Sequence, residues 1–180
     1  MKKEFFKEVE IPEGVEVKKE DNLVIVKGPE GENKKKMNFG KLEVNVGKDK
    51  IKLGSKKATK KEKKMTNTLT AHLNNLIKGV QEKFEYELKI CFGHFPFTVK
   101  IEGNQAIVKN FLGEKVERKV KLPQGAEVTI DKDIIKVTSS NKELAGQTAA
   151  TLEKSTIVRG RDKRIFQDGI YITKKCGKEI

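Results

Sequence analysis

The spacing of apolar residues changes along the first half of the chain from alternating to helical. Short stretches in which apolar and polar residues alternate, separated by turn residues, predict β-strands. These strands are predicted at 15–18, 23–27, 41–46 and 51–53, with turns at 20–22, 28–31 and 47–49. Apolar residues then recur at intervals of three and four positions, which predicts a helix over about 66–78 with Gly79 as its C-terminal stop.

The second half of the chain has the same order of elements. Alternating stretches predict strands at 97–101, 105–109, 116–120, 126–130 and 134–137. Ser140 and Glu143 then fit a capping box, in which the serine hydroxyl bonds an amide three residues on and the glutamate reaches back. A second helix is therefore predicted to begin at this point. The segment 81–94, which alternates apolar and charged residues, is expected to connect the halves as a strand belonging to either.

The two halves of the chain also match residue by residue, with one small gap. The matching positions, in order, are Val17 with Val99, 25–27 with 107–109, 31–32 with 113–114, 43–44 with 127–128, Lys48 and Asp49 with Lys132 and Asp133, and 51–52 with 135–136. Collinear matches of apolar residues and glycine are not expected from two merely lysine-rich segments, so they indicate a tandem duplication.

The duplication and the order of elements together predict an α+β fold. Each copy is expected to be a small domain in which an antiparallel sheet packs against one helix, because the apolar face of each helix needs a sheet to cover it. The predicted domains are 1–81 and 82–180, and the second is expected to end in a basic C-terminal tail over about 158–180.

The charge of the chain points to a polyanionic partner. The 39 Lys and Arg residues outnumber the 26 Asp and Glu residues and give a formal net charge of +13. No stretch approaches the roughly 20 apolar residues of a membrane span, and the N-terminus lacks the apolar core of a signal peptide. Cys91 and Cys176 are the only cysteines and are expected to be free thiols, which suits a reducing compartment. A cytosolic location is therefore expected.

A lysine-rich stretch precedes the first predicted helix, in a loop that is much shorter in the second copy. Its cations are Lys56, Lys57, Lys60, Lys61, Lys63 and Lys64. Lysine ammonium groups suit contacts with a phosphate backbone, because they neutralise its charge without reading a base. The alternative interpretation is a solvated loop without a partner.

The arginines of the C-terminal segment form the second basic feature. Arg159, Arg161 and Arg164 lie within six positions in a chain where arginine is otherwise scarce. A cluster of guanidinium groups favours planar, bidentate recognition of phosphate. Gly160 and Gly169 would let the backbone approach a partner closely. Tyr171 would stack on a base, hydrogen-bond a phosphate or pack against its own domain.

Candidate catalytic and metal-binding groups are poorly placed. His72 and His94 are far apart in sequence, and His72 falls inside the predicted first helix. Cys91 and His94 form one Cys-x-x-His pair, whereas a structural zinc site needs four ligands. The glycines of 28–34 lack the spacing of a phosphate-binding loop. No catalytic residue, metal site or cofactor is predicted.

Several segments resemble the archaeal and eukaryotic branch of the large-subunit ribosomal protein family L-six (L6), called L-nine in eukaryotic nomenclature. The segments that carry the resemblance are Val24-Ile25-Val26-Lys27-Gly28-Pro29, Asn74-Asn75-Leu76-Ile77-Lys78-Gly79-Val80, His94-Phe95-Pro96, Asn110-Phe111-Leu112-Gly113-Glu114-Lys115 and Phe166-Gln167-Asp168-Gly169-Ile170-Tyr171-Ile172. They follow one another in family order over nearly the whole chain. His94-Phe95-Pro96 is interpreted as an interdomain element that sets domain orientation.

The resemblance implies two similar αβ domains and binding to large-subunit ribosomal RNA, mainly by the second domain. The implied location is near the sarcin–ricin loop and the base of the stalk, with neighbouring ribosomal proteins and translation factors close by. Carried onto this chain, the RNA-facing residues are Arg159, Arg161, Lys163, Arg164, Tyr171, Lys174 and Lys175, and Gly160 joins them.

The expected function is therefore structural: binding of ribosomal RNA in the cytoplasmic ribosome, without catalysis, cofactor, membrane contact or homo-oligomer. A free-standing RNA-binding regulator with the same duplicated fold is the main rival. An enzyme would need a cluster of polar groups in a cleft, and a membrane-surface protein would need a basic amphipathic helix. Neither pattern occurs in the sequence.

Overall fold

The computed structural model describes residues 3–47 and 49–180. Lys48, which the sequence places in a turn, lies outside the described residues. The chain divides into two compact units, Met1–Lys83 and Phe84–Ile180. Each unit has its own apolar core.

The described residues of the first unit form six strands and one helix. They are β1 (Lys3–Glu10), β2 (Glu16–Glu20), β3 (Leu23–Gly28), β4 (Gly31–Lys36), β5 (Glu43–Val46), β6 (Lys50–Ala58) and α1 (Lys60–Gln81). The strands form two antiparallel sheets, in the orders β2-β3-β4 and β1-β6-β5. Because α1 packs against β1, β3 and β6, its apolar face covers strands from both sheets.

The second unit repeats this order and adds two strands. Its elements are β7 (Phe84–Cys91), β8 (Thr98–Glu102), β9 (Gln105–Lys109), β10 (Arg118–Lys121), β11 (Glu127–Asp131), β12 (Ile134–Ser139), α2 (Lys142–Ser155), β13 (Gly169–Lys175) and β14 (Lys178–Glu179). The sheets run β10-β9-β8 and β11-β12-β7-β13-β14. The order β5-β6-β1 of the first unit thus recurs as β11-β12-β7, which confirms the α+β class and the duplication.

The two helices bury their apolar faces in different ways. The buried apolar side chains of α1 are large: Leu69, Leu73, Leu76, Ile77 and Val80. In α2 the buried apolar residues are Ala145, Ala149 and Leu152, so the helix approaches its sheet closely. Gly146 shows how close this approach is, because a Cβ built there would lie 3.2 Å from the Tyr86 hydroxyl of β7.

Two strands of the first unit, β1 and β4, were not predicted from the sequence. Val9 is the one buried apolar residue of the described β1 side chains, and Asn33 is the one buried residue of β4. Neither strand therefore carries a complete apolar face of its own. β1 is held in its extended conformation by pairing with β6, and β4 by pairing with β3. In such strands the neighbouring strand determines the conformation more than the residue composition does.

The predicted ends of both helices were wrong in specific ways. Gly79 does not stop α1, because it lies buried inside the helix, which continues to Gln81 and passes directly into extended backbone at Glu82. Ser140 does not cap α2. The cap is Asn141, whose side chain accepts a hydrogen bond of 3.0 Å from the Glu143 amide, while Ser139 accepts from the Asn141 amide.

The predicted lysine-rich loop and C-terminal tail are also not loops throughout. Lys56 and Lys57 end β6, and Lys60 begins α1, so the helix starts six residues before the predicted Thr66. Residues 169–175 form β13, which pairs with β7 in the middle of the five-stranded sheet. The C-terminal region is thus an integral part of the second unit, because its apolar residues complete the sheet.

Gly54 of β6 provides a test of the packing in the first unit. A Cβ at this position would lie 2.6 Å from Cα of Phe6 in β1, where only a backbone shift would make room. Gly54→Ala is expected to lower the free energy of unfolding by about 1–3 kcal/mol, as overpacking does, measured by chemical denaturation. Gly93→Ala is the control, because a Cβ at Gly93 meets nothing within 4 Å. Equal stability of the two variants would contradict the described β1–β6 pairing.

Candidate nucleic-acid interface

The predicted arginine cluster lies in the connection between α2 and β13. Asp162 shapes this connection, because its carbonyl accepts hydrogen bonds from the amides of Ile165 (3.2 Å) and Phe166 (2.9 Å). Its carboxylate also accepts one from the Arg164 amide at 2.9 Å. The arginines therefore stand on a folded turn, residues 159–166, which we call the arginine turn. Arg159, Gly160, Arg161, Lys163 and Arg164 are all exposed.

Arg164 forms an ion pair with the carboxylate that organises the turn. Its Nη2 lies 2.8 Å from Oδ2 of Asp162, and this hydrogen bond lowers the pKa of Asp162. The Arg164 side chain is nevertheless 90% exposed, and exposed pairs of this kind contribute about 0–1 kcal/mol. An incoming phosphate can therefore share or replace Asp162 as the partner. Arg159 is exposed and, among the described residues, forms no ion pair.

Arg161 is held by an aromatic ring. Its Cζ lies 4.9 Å from the centroid of the Phe166 ring, a distance typical of a cation–π contact. The His94 ring stacks on the same phenylalanine, with 4.6 Å between ring centroids and 21° between planes. The position of Arg161 thus depends on a histidine far away in sequence.

A buried carboxylate, Asp168, fixes His94 in turn. Its Oδ1 accepts hydrogen bonds from the amides of Gly93 (2.6 Å) and His94 (3.1 Å), and its Oδ2 lies 2.8 Å from Nδ1 of His94. Burial raises the pKa of Asp168, but the His94 ring and the two amides lower it, and the net shift is downward. Asp168 is therefore a charged acceptor that ties the residues after β7 to the start of β13.

The interpretation of His94-Phe95-Pro96 as an interdomain element was wrong. These residues lie inside the second unit, between β7 and β8. Sequence reasoning also gave Asp168 no role beyond a family segment. The sequence did contain a signal, because Asp168 comes directly before an apolar strand, at a position where the chain becomes buried.

A further loop meets these residues. The Asn110 side chain donates a hydrogen bond of 3.0 Å to the Pro96 carbonyl. Arg118 donates to both Glu114 and the Ser155 carbonyl, and its Cζ lies 4.4 Å from the Phe111 ring centroid. Glu114 is also close enough to Arg161 for the guanidinium to lower its pKa, after the larger effect of Arg118.

We call residues 92–97, 110–118 and 159–168 together the three-loop surface. The hydrogen bonds Asp168–His94 and Asn110–Pro96 connect its loops, and Arg161 is close enough to Glu114 to lower the pKa of that carboxylate. Besides the arginines and Lys163, its exposed residues include Phe92, Phe95, Lys115, Val116 and Ile165. Cations and exposed apolar side chains are therefore brought together, a combination that suits an RNA with unpaired bases.

The predicted residues of β13 separate into two groups. Tyr171 donates a hydrogen bond of 3.1 Å to the Gln167 carbonyl, and its ring packs over Gly169. Together with Lys163 it lines a cleft of about 360 Å³ beside the arginine turn. Lys174 and Lys175 lie farther along the strand, where Nζ of Lys174 is 3.0 Å from Glu87. Tyr171 thus belongs near the arginines, whereas Lys174 already has a carboxylate partner.

The lysines predicted as a second contact gather around the beginning of α1. All six are exposed, with Lys56 and Lys57 at the end of β6 and Lys60, Lys61, Lys63 and Lys64 in the first turns of the helix. Glu62 caps this end by accepting a hydrogen bond of 2.9 Å from the Thr59 amide. Four of the cations therefore stand at the positive end of the helix dipole, where Glu62 is the one carboxylate among them.

The described residues offer little to other kinds of site. Nowhere in 3–47 or 49–180 do three His, Cys, Asp or Glu side chains gather as metal ligands. In the same residues, neither helix combines the length and apolarity that crossing a membrane requires.

Asp168→Asn tests the role of the buried carboxylate. The asparagine side chain cannot accept both the backbone hydrogen bonds made at Oδ1 and the His94 hydrogen bond made at Oδ2. The free energy of unfolding at pH 7 should therefore fall by about 1–3 kcal/mol. Because the folded-state pKa of Asp168 is lowered, its contribution is present above the unfolded pKa of about 3.9 and is lost as pH falls through the folded pKa. The difference in the free energy of unfolding between Asp168→Asn and the unsubstituted protein should therefore be smaller at pH 3 than at pH 7. The exposed Asp131→Asn is the control, and a difference that does not depend on pH would contradict the assignment.

Comparisons with known proteins agree with the resemblance seen in the sequence. The family model of ribosomal protein L6 matches residues 11–83 and again 95–169. The chain is 44% identical over 168 residues to the large ribosomal subunit protein uL6 of Methanobrevibacter smithii, covering 93% of this chain and 94% of that protein. It is 42% identical over 173 residues to uL6 of Methanococcus vannielii, covering 96% and 95%. The chain therefore belongs to the ribosomal protein L6 family.

Proposed function

We propose that this ribosomal protein is a structural constituent of the large ribosomal subunit in the cytoplasm, and that it binds ribosomal RNA through the three-loop surface without catalysis. The observation that carries this proposal is the arginine turn: three of the chain's four arginines stand exposed on one connection held by Asp162 and Phe166. A guanidinium that is held in place loses less conformational entropy when it binds phosphate than a mobile side chain does.

The three arginines contribute in different ways. Arg159 offers a charge that is unpaired among the described residues, Arg164 exchanges its exposed Asp162 contact for phosphate, and Arg161 meets phosphate while its guanidinium stays near the Phe166 ring. Gly160 between them has a φ of 67° and open space around its Cα, so a phosphate can approach the backbone there. Lys163 and Tyr171 extend the surface along the neighbouring cleft. Lys175 is exposed at the far end of β13 and Lys174 pairs with Glu87, so we place both at the margin of the contact.

The RNA partner is proposed to be the region near the sarcin–ricin loop and the base of the stalk, with neighbouring ribosomal proteins and translation factors close by. The support for this location is the similarity to the L6 family over both units. The protein would neutralise phosphate repulsion and fix the shape of the RNA at the factor-binding region.

The lysines around the start of α1 are proposed as a second RNA contact. The first unit carries 21 Lys against 13 acidic residues, a larger excess of cations than in the second unit. Lysines at the N-terminal end of a helix repel the positive end of its dipole, and a bound phosphate relieves this repulsion. The contact would be independent of RNA sequence, because lysine ammonium groups meet phosphate as point charges.

The role of the arginine turn is tested by measuring binding to a ribosomal RNA fragment that contains the sarcin–ricin region, over a series of salt concentrations. Changing Arg159, Arg161 and Arg164 to Ala should weaken binding and flatten the plot of log affinity against log salt. The slope should fall by about one unit for each phosphate that the variant no longer neutralises.

The matched control removes the same charge from another part of the second unit. Lys100, Lys119 and Lys121 are exposed on β8 and β10, and their change to Ala should affect binding much less. If the arginine variant and this control behave alike, the charge of the unit rather than the arginine turn binds RNA, and the assignment of the site fails.

The second contact has its own experiment with the same RNA fragment. Changing Lys60, Lys61 and Lys64 to Ala should flatten the salt slope further when it is combined with the arginine variant, because phosphate contacts without shared partners add. A combined variant with the same affinity and salt slope as the arginine variant would show that these lysines remain solvated.

A further inference from the structure

An aromatic side chain without a structural explanation stands in the three-loop surface. Phe95 is 51% exposed, although apolar residues of the neighbouring strands, such as Leu88 and Ala106, are fully buried. The exposed half of this phenylalanine gains nothing from the core. Its exposure therefore suggests a binding role, provided that the ring is held in place and that its surroundings fit one kind of ligand.

The backbone on both sides of Phe95 is fixed. Before it, the His94 amide donates to the buried Asp168, and the His94 ring stacks on Phe166. After it, the Pro96 ring restricts the backbone, and the Pro96 carbonyl accepts a hydrogen bond from Asn110. The Phe95 ring is thus presented from a tied-down loop and loses little freedom when a ligand covers it.

One edge of the Phe95 ring also has a support. A Cβ built on Gly113 would lie 3.7 Å from Cε2 of Phe95, which means that the glycine backbone runs directly beside the ring. Gly113 has a φ of 77°, a conformation that favours glycine. One side of the ring therefore lies near the Gly113 backbone, while about half of the residue stays exposed.

The charges around Phe95 point to a nucleic acid. Its neighbour His94 contacts the ring that carries Arg161, and Lys115 is exposed two residues after Gly113. An open aromatic face beside cations is the arrangement that binds unpaired nucleotides, since the bases stack on the ring and the phosphates meet the cations. A protein partner of purely apolar character would not need the neighbouring guanidinium groups.

We propose that Phe95 is a stacking site for an unpaired base of the ribosomal RNA, next to the phosphate contacts of the arginine turn. This inference rests on the proposed function and adds a contact that is not electrostatic. The arginine turn would set the position of the RNA backbone, while Phe95 would select a place where a base is free to leave its helix. The ligand is a single-stranded or bulged nucleotide in an otherwise folded RNA.

The first experiment separates stacking from charge, using the same ribosomal RNA fragment and salt series. Phe95→Ala should weaken binding by roughly five-fold to one hundred-fold, the range typical of removing one base stack, and should leave the salt slope unchanged. Phe95→Leu should bind almost as weakly, whereas Phe95→Tyr should retain the affinity. Ile134→Ala, at a comparably exposed apolar residue of β12, is the control and should bind normally.

The second experiment uses the absence of tryptophan from the chain. Phe95→Trp introduces one indole at the proposed site, and its fluorescence should be quenched when the RNA fragment binds, because a base stacks on it. Ile134→Trp introduces one indole elsewhere in the same unit and should show little change. Circular dichroism melting of each variant checks that the second unit remains folded, as expected for substitutions of half-exposed side chains.

The outcomes distinguish this inference from the proposed function. If the arginine variant loses affinity while Phe95→Ala binds normally and Phe95→Trp is not quenched, the RNA interface stands and the stacking site is wrong. If Phe95→Ala binds the RNA fragment normally but fails to enter large subunits, the ring contacts a protein, which also overturns the inference. If the unsubstituted protein does not bind the fragment, the proposed RNA interface itself fails.

Discussion

The central position of β7 in the five-stranded sheet determines the rest of the second unit. β7 pairs antiparallel with β12 on one side and with β13 on the other, and the pair Cys91–Gly169 lies at one end of the β7–β13 ladder. The residue before Gly169 must therefore meet the residues after Cys91. This is how Asp168 comes to accept hydrogen bonds from Gly93 and His94, although the partners lie 75 and 74 positions apart. Backbone pairing thus sets the geometry of the loops that carry the candidate interface.

The two units share a fold, but they differ at one edge of a sheet. β1 of the first unit corresponds to β7, but among the described residues β1 is an edge strand, with β6 as its single neighbour. The second unit continues beyond its helix and places β13 against the corresponding edge. The arginine turn is part of this extension, so the residues that we propose to bind RNA arise where the second copy exceeds the first.

The sequence predicted the elements whose own residues carry the necessary pattern. The alternation at β3 and β9, the collinear repeat and the family segments led to the correct fold class and family. The sequence pattern did not predict β1 or β4, because these largely polar segments become strands only by pairing with other parts of the chain. Gly79 and Ser140 misled because a stop or cap signal is valid only where the local backbone adopts the matching geometry. Residues 169–175 looked like a tail because their partner, β7, precedes them by a whole domain. The contact of Asp168 with His94 was invisible for the same reason.

The 75-residue separation between Asp168 and Gly93 has a further consequence for the arginine turn. A contact of such long range closes only after the intervening sheet and helix have assembled, because the entropy of closing the loop is otherwise not offset. The arginine turn and the loop that carries His94 therefore come together only in the completed unit. The surface that we propose for RNA is then not assembled in a chain that has not finished folding, and such a chain would lack the means to occupy its place in the RNA.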